Sequence, residues 1–253
     1  MSEDLIPGEL LSRLASMGRV YLLDTVGSTN EYAFTLAERK EPAIVIARRQ
    51  TKGRGRFRRH WFADDDSLIF SVLFFPSAGF TSPASVTQIA GLALGKAIED
   101  VVGTNEPRAL LRWPNDVMIK GKKVAGILCE KRKDALVVGV GVNVNQEKLP
   151  ESLPEAGSLF LVYGKKVERF SILDLFLPEF FTTLERMIKG EGQRSWDEIK
   201  NRSAVLHHRV EIRTLLRKFV GTVIDIDEEG RIVLRGDSGK IAVFSVGQVK
   251  QLR

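Results

Sequence analysis

Cysteine is nearly absent from this chain of 253 residues, and Cys129, its single cysteine, cannot form an internal disulfide. This scarcity excludes a small disulfide-stapled secreted scaffold and favours a reducing, cytoplasmic compartment. No apolar run reaches the roughly 18 residues that a membrane span needs, and residues 1–4 lack the features of a secretory signal. We therefore expect a cytoplasmic protein without a membrane segment, in which Cys129 packs in the core rather than acting as a nucleophile.

The positive charge of the chain is concentrated in one short segment. The net charge is +6, and residues 48–59 hold seven lysines and arginines with no acidic residue, so the remainder carries a net charge of −1. A non-specific nucleic-acid binder more often spreads its cations along a face or a helix. A single cationic focus instead suits one compact polyanion, such as a nucleoside triphosphate.

Short apolar runs between residues 20 and 142 predict buried strands around one long helix. Ser82 and Pro83 are typical of an N-cap and a first helical residue, and the helix is expected to run to about Val102. The pair Gly121-Lys122 predicts a hairpin turn between two of the strands. The strands are predicted at Val20–Leu23, Ala43–Ala47, Ser67–Phe75, Ala109–Arg112, Val124–Cys129 and Ala135–Val142.

The last third of the chain changes pattern. The segment Ser171-Ile172-Leu173-Asp174 resembles a capping box for a helix through Ile188, and Pro178 predicts either a kink or a later start. From about residue 209, short alternating stretches suit a small β-barrel. We therefore divide the chain into residues 1–204 and residues 205–253, with barrel strands at Arg209–Thr214, Gly221–Ile226, Arg231–Leu234 and Lys240–Phe244.

Four polar clusters interrupt the apolar strands, and the first two suit a ligand with a polar head and an anionic end. Gly27-Ser28-Thr29-Asn30 offers hydroxyls and an amide at a strand end, although helix capping explains it as well. In Gln50–Trp61, glycines let the backbone approach a ligand, and the arginines between them suit phosphate or carboxylate. Its crowded cations repel one another, so we expect a loop that is mobile until an anion binds. A solvated or nucleic-acid-binding basic patch is the alternative.

The third and fourth clusters lie at turns and strand ends. Arg112-Trp113-Pro114-Asn115-Asp116 follows a strand and makes a turn in its own right. Gly121–Leu128 leads a lysine into a buried strand, and Gly139–Asn145 ends one with two asparagines. Lysine and asparagine at strand edges are often mere surface residues, so none of the four clusters is decisive alone.

Taken in this order, the four clusters closely resemble the biotin–protein ligase family. That pattern contains a G-S-T-N turn, a G-R-G-R loop, a K-W-P-N-D turn, a K-x-A-G-I-L strand and a G-x-G-x-N strand end. All appear between Gly27 and Asn145, with Arg112 in place of the first lysine. The resemblance implies an α+β fold, with a mixed β-sheet catalytic domain packed with helices (class II synthetase-like) and a small C-terminal SH3-like β-barrel. Related lipoate ligases carry a different glycine-rich loop, without alternating arginines.

The resemblance also implies roles for individual residues. Arg54, Lys123 and Asp116 are implied to act in catalysis. The residues implied to bind biotin are Ser28, Thr29, Asn30, Gln50, Gly53, Arg54, Arg56, Lys123 and Gly126. The residues implied to bind ATP or the adenylate are Arg56, Arg58, Arg59, Trp61, Asn115 and Asn143. No metal ligand is assigned, because Mg²⁺ is often held mostly by phosphates and water.

The implied reaction has two steps and uses ATP and biotin as substrates, together with Mg²⁺. The biotin carboxylate attacks the α-phosphorus of ATP and pyrophosphate leaves. This carboxylate is already ionised at neutral pH, so the step needs cations rather than a general base. A lysine amine of the acceptor protein then attacks the mixed anhydride, and Asp116 is expected to orient that amine or accept its proton.

The family also implies partners. The expected acceptor is a biotin carboxyl carrier protein or domain, as in acetyl-CoA carboxylase, and a homodimer paired through the sheets is also expected. The first catalytic strand begins near Val20, which leaves no room for an N-terminal helix-turn-helix domain, so no specific DNA binding is expected. The alternatives are a non-enzymatic nucleic-acid-binding protein and a ligase for another carboxylic acid, such as lipoate.

Overall fold

The predicted strands of the first two-thirds of the chain join into one mixed sheet. The computed structural model describes residues 6–76, 82–103, 107–214 and 217–252. The strands of this sheet are β1 Arg19–Val26, β2 Ala43–Gln50, β3 Ser67–Phe74, β4 Leu110–Arg112, β5 Asp116–Ile119, β6 Lys122–Arg132 and β7 Ala135–Asn143. Among the described residues they pair in the order β1-β2-β3-β7-β6-β5-β4. β1 and β2 are parallel and all the other neighbours are antiparallel, so the predicted mixed sheet is confirmed.

Helices cover both faces of this sheet. They are α1 Gly8–Met17, α2 Thr29–Leu36, α3 Pro83–Val102, α4 Leu159–Tyr163, α5 Arg169–Ile188 and α6 Gln193–Asn201. Because successive strand residues point to opposite faces, β2 sends Ile44 and Ile46 into the large core that includes α3 and α5. Ala43 and Val45 pack instead in a smaller core with α2. Covering β2 on both faces explains why its first five residues are all buried.

Two features of the helices correct the sequence prediction. Helix α5 begins at Arg169 rather than Ser171, and the cap is Glu168, whose carboxylate accepts the backbone N–H of Phe170 at 3.0 Å. The helix continues through Pro178, so a start at that proline is wrong. Ser82 precedes α3 as predicted, but its hydroxyl donates to the backbone oxygen of Glu229 at 3.1 Å instead of capping the helix.

The sequence prediction also omitted several elements. Strand β5 is short, and it lies directly after the turn that ends at Asn115. Helices α1, α4 and α6 were not predicted either, nor was the final strand of the chain. A hairpin does occur at Gly121-Lys122, but it joins β6 to the unpredicted β5 rather than to the predicted strand Ala109–Arg112. None of the described helices is long and apolar enough to cross a membrane.

The C-terminal strands form a second, separate sheet. Its strands are β8 Arg209–Arg213, β9 Lys218–Ile226, β10 Ile232–Arg235, β11 Ile241–Phe244 and β12 Gln248–Gln251. In the described residues they pair antiparallel in the order β11-β10-β9-β8-β12. The four predicted strands are confirmed to within a few residues. Closure of the sheet into a barrel and the division at residue 204 stay predictions.

Trp113 joins this second sheet to the first. Its side chain is 2% exposed and packs with Val210, Ile212 and Ile232, and its indole N–H donates to the backbone oxygen of Gly230 at 2.9 Å. Gly230 has a φ of 74°, and a Cβ there would lie 2.4 Å from the backbone carbon of Ala84. The turn that carries Trp113 is therefore anchored in the core of the C-terminal sheet.

Replacing Trp113 tests this anchor. Trp113→Ala is expected to lower the free energy of unfolding by about 3–5 kcal/mol, the usual cost of truncating a large buried aromatic side chain. Denaturant titration followed by circular dichroism measures the change. Val246→Ala alters a side chain that is 54% exposed in the same part of the chain, and it is expected to shift stability by less than about 0.5 kcal/mol. Equal losses in the two variants would contradict the anchoring role.

Candidate functional site

A cavity of about 510 Å³ lies between the large sheet, the arginine-rich loop and the start of β12. This volume is in the range typical of sites for small ligands. Most of the predicted site residues line it, although they come from separate parts of the chain: Ser28, Thr29, Asn30, Gln50, Arg54, Arg56, Arg59, Trp61, Asn115, Asp116, Lys123, Gly126 and Asn143. The segment of residues 152–156 closes one side.

A polar pair, in which Thr29 is buried and Gln50 half-buried, forms one part of the cavity wall. Thr29 begins α2 and Gln50 ends β2, and the Gln50 Oε1 accepts the Thr29 backbone N–H at 2.8 Å and its hydroxyl at 3.1 Å. The Ser71 hydroxyl, from β3, lies 2.7 Å from the Thr29 Oγ1. Ser28 occupies the N-cap position without a side-chain capping bond. Ser28 therefore does not cap the helix through its side chain, which was the alternative interpretation of this turn.

Asn30 lies beside this pair, and protein groups occupy its polar atoms. Its Nδ2 donates to the backbone oxygen of Leu128 at 3.1 Å and to the Glu130 Oε2 at 2.8 Å, while the Ser71 Oγ lies 2.7 Å from its Oδ1. A Cβ at Gly139 would lie 2.1 Å from the same Oδ1, so only glycine fits under this side chain. These contacts favour a role for Asn30 in organising the wall over direct binding of a ligand.

The arginine-rich loop is folded back on itself. The Trp61 backbone N–H donates to Gly53 O at 3.0 Å, and the Gly55 N–H donates to Arg59 O at 2.7 Å. Phe57, at the tip, has a φ of 55°. Gly53 does not line the cavity with the other predicted residues. A Cβ there would lie 2.7 Å from Trp61 O, so its lack of a side chain serves loop closure instead.

The loop arginines do not form one cationic focus as the sequence suggested. Arg48 and Arg49 both form ion pairs with Asp65, at 2.8 and 2.7 Å, and they hold the pKa of that carboxyl well below its usual range. Of the seven cations in residues 48–59, Arg54, Arg56 and Arg59 line the cavity. The side chain of Arg58 lies outside the described residues. Local acidic partners, which the sequence does not reveal, account for the difference.

Arg59 connects the loop to the C-terminal sheet. Its Nη2 donates to the Gln248 Oε1, at the start of β12, at 2.8 Å. Gly247, Gln248 and Val249 line the cavity together with the loop. The C-terminal sheet therefore forms part of the site, and the sequence analysis missed this because Gln248 lies beyond the strands that it predicted.

Asp116 is held between two cations. Its Oδ1 lies 2.5 Å from the Lys123 Nζ, and its Oδ2 lies 2.9 Å from the Arg112 Nη2. Arg112 also meets Glu155 at 3.0 Å. Burial lowers the pKa of Arg56 from its ordinary value, and the charge of Asp116 partly opposes that shift. The cavity thus brings Arg56, Lys123 and Arg112 together around one carboxylate, an arrangement that suits an anionic ligand.

Trp61 lies against two glycines of neighbouring strands. Gly126 and Gly141 are direct partners in the β6–β7 pairing. A Cβ at Gly141 would lie 2.5 Å from Trp61 Cε2, and one at Gly126 would lie 2.8 Å from Cζ3. The Lys123 Nζ lies 5.3 Å from the centroid of the indole ring, a cation–π distance. The missing side chains create a flat trough that accepts a planar group.

Two asparagines complete the wall. Asn115 follows the cis Trp113–Pro114 bond, and its Nδ2 donates to Ile127 O at 2.8 Å. Asn143 ends β7 and donates through Nδ2 to Gly157 O at 2.9 Å. Its Oδ1 is buried and has no hydrogen-bond partner among the described residues. A buried acceptor of this kind suits a donor group of a bound ligand.

Cys129 lies outside the cavity wall. It packs against the large core, and burial raises the pKa of its thiol far above the usual value. Because the thiolate is the reactive form, these observations support the predicted core role rather than a nucleophile. The sequence analysis missed Ser71, Gly139 and Gly141 as site residues. The two glycines are those of the quoted G-x-G-x-N pattern, whereas nothing distinguishes Ser71 within its apolar strand.

The biotin/lipoate A/B protein ligase family matches residues 22–147, and the biotin protein ligase C-terminal domain matches residues 208–249. A biotin–[acetyl-CoA-carboxylase] ligase of Mycobacterium tuberculosis is 32% identical over 83% of this chain and 79% of its own. A ligase of the same name from Paracoccus denitrificans is 31% identical over 87% of this chain and 95% of its own. The chain belongs to the biotin–protein ligase family.

The fold agrees with this family membership. The structure of a biotin protein ligase from Aquifex aeolicus in complex with biotin and ATP superimposes with a TM-score of 0.79 and 30% identity, covering 93% of this chain and 99% of that one. The family resemblance and the α+β fold class inferred from the sequence are thereby confirmed. The roles of individual residues stay predictions.

Adding one methyl group tests the trough. Gly141→Ala is expected to displace Trp61, because the new Cβ would overlap the indole ring at 2.5 Å. The other two tryptophans, Trp113 and Trp196, are 2% and 3% exposed, so a red shift of tryptophan emission reports Trp61 leaving its site. Gly8→Ala is the control, since a Cβ there meets nothing within 4 Å. Unchanged emission in Gly141→Ala would contradict the packing described.

Proposed function

We propose that this chain is a biotin–protein ligase, which activates biotin with ATP to biotinyl-5′-AMP and transfers the biotin to a lysine of a carrier domain. The observation that carries the proposal is the arrangement of the cavity. It joins the polar pair Thr29–Gln50, the glycine floor on which Trp61 lies and the cations Arg54, Arg56 and Lys123 in one space. A ligand with a polar head, an apolar body and a carboxylate matches these three parts once Trp61 moves off the floor and admits the apolar body.

The polar end suits the ureido head of biotin. Ser28, Thr29 and Gln50 offer hydroxyl, amide and backbone groups in a largely buried setting, where a hydrogen bond to a ligand discriminates strongly against analogues that lack it. Lipoate has no ureido group to which these polar groups could bond. This favours biotin over the alternative carboxylic acid.

The cationic end suits the first chemical step. A carboxylate oxygen of biotin bonds to the α-phosphorus of ATP while the bond to the pyrophosphate oxygen breaks. The chain contributes charge: Arg54, Arg56 and Lys123 offset the two anions that approach each other and the charge on the leaving pyrophosphate. Lys123 is already held in place by Asp116 at 2.5 Å. Fixed cations lower the barrier because they need no reorganisation during the reaction.

The remaining wall suits the nucleotide. We assign the Asn143 Oδ1, which has no hydrogen-bond partner among the described residues, to accept a hydrogen bond from the adenine amino group. Asn115 also lines the cavity, and we assign it to the same part of the nucleotide. Arg59, steadied by Gln248, is assigned to the phosphates. We propose that phosphate oxygens and water molecules bind Mg²⁺, as they commonly do. The one carboxylate we assign to the site, Asp116, is committed to Arg112 and Lys123, so no step is assigned to a metal ion bound by it.

In the second step the amine of the acceptor lysine attacks the mixed anhydride and AMP leaves. The amine must first lose a proton, because a free lysine is protonated at neutral pH. Asp116 already contacts two cations. We therefore assign it chiefly to positioning Lys123 and to orienting the incoming amine. Closure of Trp61 and the loop would keep water from the anhydride.

The proposed acceptor is the biotin carboxyl carrier domain of acetyl-CoA carboxylase, which follows from the names of the relatives. A cytoplasmic location suits an enzyme that uses ATP. Pairing of two copies and the expected lack of specific DNA binding stay predictions. Pairing of Arg48 and Arg49 with Asp65 reduces the free basic surface, which weighs against the nucleic-acid-binding alternative.

One experiment tests the proposal directly. The protein is incubated with biotin, ATP, Mg²⁺ and a carrier domain, and the mass of the carrier is measured alongside pyrophosphate release. We expect biotin-dependent pyrophosphate and a single biotinyl mass increment on the carrier. Replacing biotin by lipoate is the control for substrate class. Turnover with lipoate alone, or binding to random duplex DNA without turnover, would refute the assignment.

Removing a cation of the site should stop adenylate formation. Arg54→Ala and Lys123→Ala are each expected to lower the rate of biotin-dependent pyrophosphate release by 10²-fold or more, roughly the loss seen when one preorganised electrostatic group is deleted. Arg48→Ala is the matched control, because Arg48 is a nearby arginine that pairs with Asp65 rather than lining the cavity. Wild-type rates in both site variants would rule out these roles.

Asp116→Asn tests the part that Asp116 plays in the second step, the transfer of biotin to the carrier. The asparagine keeps the shape of the side chain but loses the charge that holds Lys123 and Arg112. We expect transfer to the carrier to slow by about tenfold or more in single-turnover assays that start from preformed adenylate, with the fold intact by circular dichroism. A transfer rate equal to that of the wild type would remove the proposed part of Asp116 in transfer and leave it only its contacts with Lys123 and Arg112.

A further inference from the structure

A cluster of four charged residues lies behind the arginine-rich loop and includes one of its arginines. Arg54 contacts Glu31 through Nη2, and the same Nη2 lies 3.7 Å from the Glu130 Oε2. Arg132 donates to the same Glu31 oxygen at 2.6 Å. Arg54 lines the cavity, whereas Glu31, Glu130 and Arg132 are not part of its wall. The acidic groups that contact Arg54 therefore lie outside the cavity wall.

Each member of this cluster is fixed by the folded chain. Glu130 accepts from the Asn30 Nδ2 at 2.8 Å. The Arg132 guanidinium lies 4.0 Å from the centroid of the Phe34 ring. Glu31 lies in the first turn of α2, where a negative charge is favoured by the helix dipole. The hydrogen bond from Arg132 lowers the pKa of Glu31, burial opposes this, and the charge of Arg54 adds to the lowering.

The geometry at Arg54 decides what the cluster does. A guanidinium has five N–H donors, and within the described part of the chain the bonds of Arg54 to acidic groups run through Nη2. The other donors are left for an anion in the cavity. A carboxylate that competed with the ligand would instead lie in the cavity wall. The contact of Glu31 with Arg54 therefore sets the direction of the guanidinium and leaves its other N–H groups for the ligand.

We infer that Glu31 is a positioning residue that orients Arg54 toward the anionic end of the bound substrate. Without Glu31, Arg54 and Arg132 would repel each other and the loop would lose a fixed attachment to α2. The identity of the substrate rests on the function proposed above, whereas the attachment of the loop does not. The loop is consequently ordered in part by a counter-ion of the protein before any ligand arrives.

Glu31→Gln tests the inference, because it keeps the size of the side chain and removes its charge. The first measurement needs no activity: limited trypsin digestion of the ligand-free protein, with cleavage after Arg54, Arg56 and Arg59 followed by mass spectrometry. We expect faster cleavage in the variant at an unchanged melting temperature. The second measurement is steady-state pyrophosphate release. We expect the KM for biotin to rise roughly two- to fivefold, the range for an exposed ion pair, with kcat nearly unchanged.

Two further variants make the result decisive. Glu185→Gln removes another carboxylate that forms an ion pair, with Lys189 at 2.7 Å at the end of α5; it is 65% exposed against 42% for Glu31. This variant should alter neither cleavage nor KM. Glu31→Asp keeps the charge and should restore at least part of both. A Glu31→Gln protein with wild-type cleavage and wild-type KM would overturn the inference. A lower melting temperature with unchanged KM would also overturn it, because that result would mean that Glu31 only stabilises the end of helix α2 through its charge. Absence of pyrophosphate release in the unaltered protein would instead refute the proposed function and leave the cleavage result to decide whether Glu31 positions Arg54.

Discussion

The antiparallel register of β6 and β7 is the constraint on which the rest of the site depends. It sets Gly126 opposite Gly141, so that two missing side chains adjoin and form a floor on which the indole of Trp61 lies. A slip of one residue in β7 would turn that strand over and place Val140 or Val142 on the floor in place of Gly141. The same strands bring Lys123 and Asn143 to the rim. One pairing therefore shapes the trough and distributes the polar groups around it.

Several cations of the site have an acidic partner before any ligand is present. Asp116 pairs with Lys123 and Arg112, Glu31 and Glu130 lie against Arg54, and Asp65 pairs with Arg48 and Arg49. A cluster of cations without acidic partners would lower the free energy of unfolding through mutual repulsion, and it would bind any polyanion. Fixed counter-ions reduce that repulsion and hold each cation in one direction. The chain is thus suited to one compact anion rather than to a long nucleic-acid backbone.

The C-terminal sheet is structurally part of this site rather than an appendage. Trp113 belongs to the turn that ends in Asp116, and its ring is buried in the core of that sheet. Gln248 holds Arg59, and it follows Gly247, whose added Cβ would lie 3.6 Å from the Trp113 ring. Two neighbouring contacts therefore tie the position of the second sheet to the geometry of the first.

The sequence by itself determined the family, the long helix Pro83–Val102 and most of the strands, and most of the site residues that it predicted do line the cavity. These follow from local signals: β-branched runs, the Ser-Pro helix start, and ordered motifs such as Gly53–Arg56 and Trp113–Asp116, whose resemblance to the family also implied the mixed sheet. Only the tertiary structure decided which cations face the cavity, because Asp65 and Glu31 are distant in sequence from the arginines that they bind. It also decided that Gly53 serves loop closure, that Asn30 is held by Glu130 and Leu128, and that Gln248 joins the site. The physical reason is that an ion pair or a close approach depends on position in space, which sequence spacing encodes only within one element.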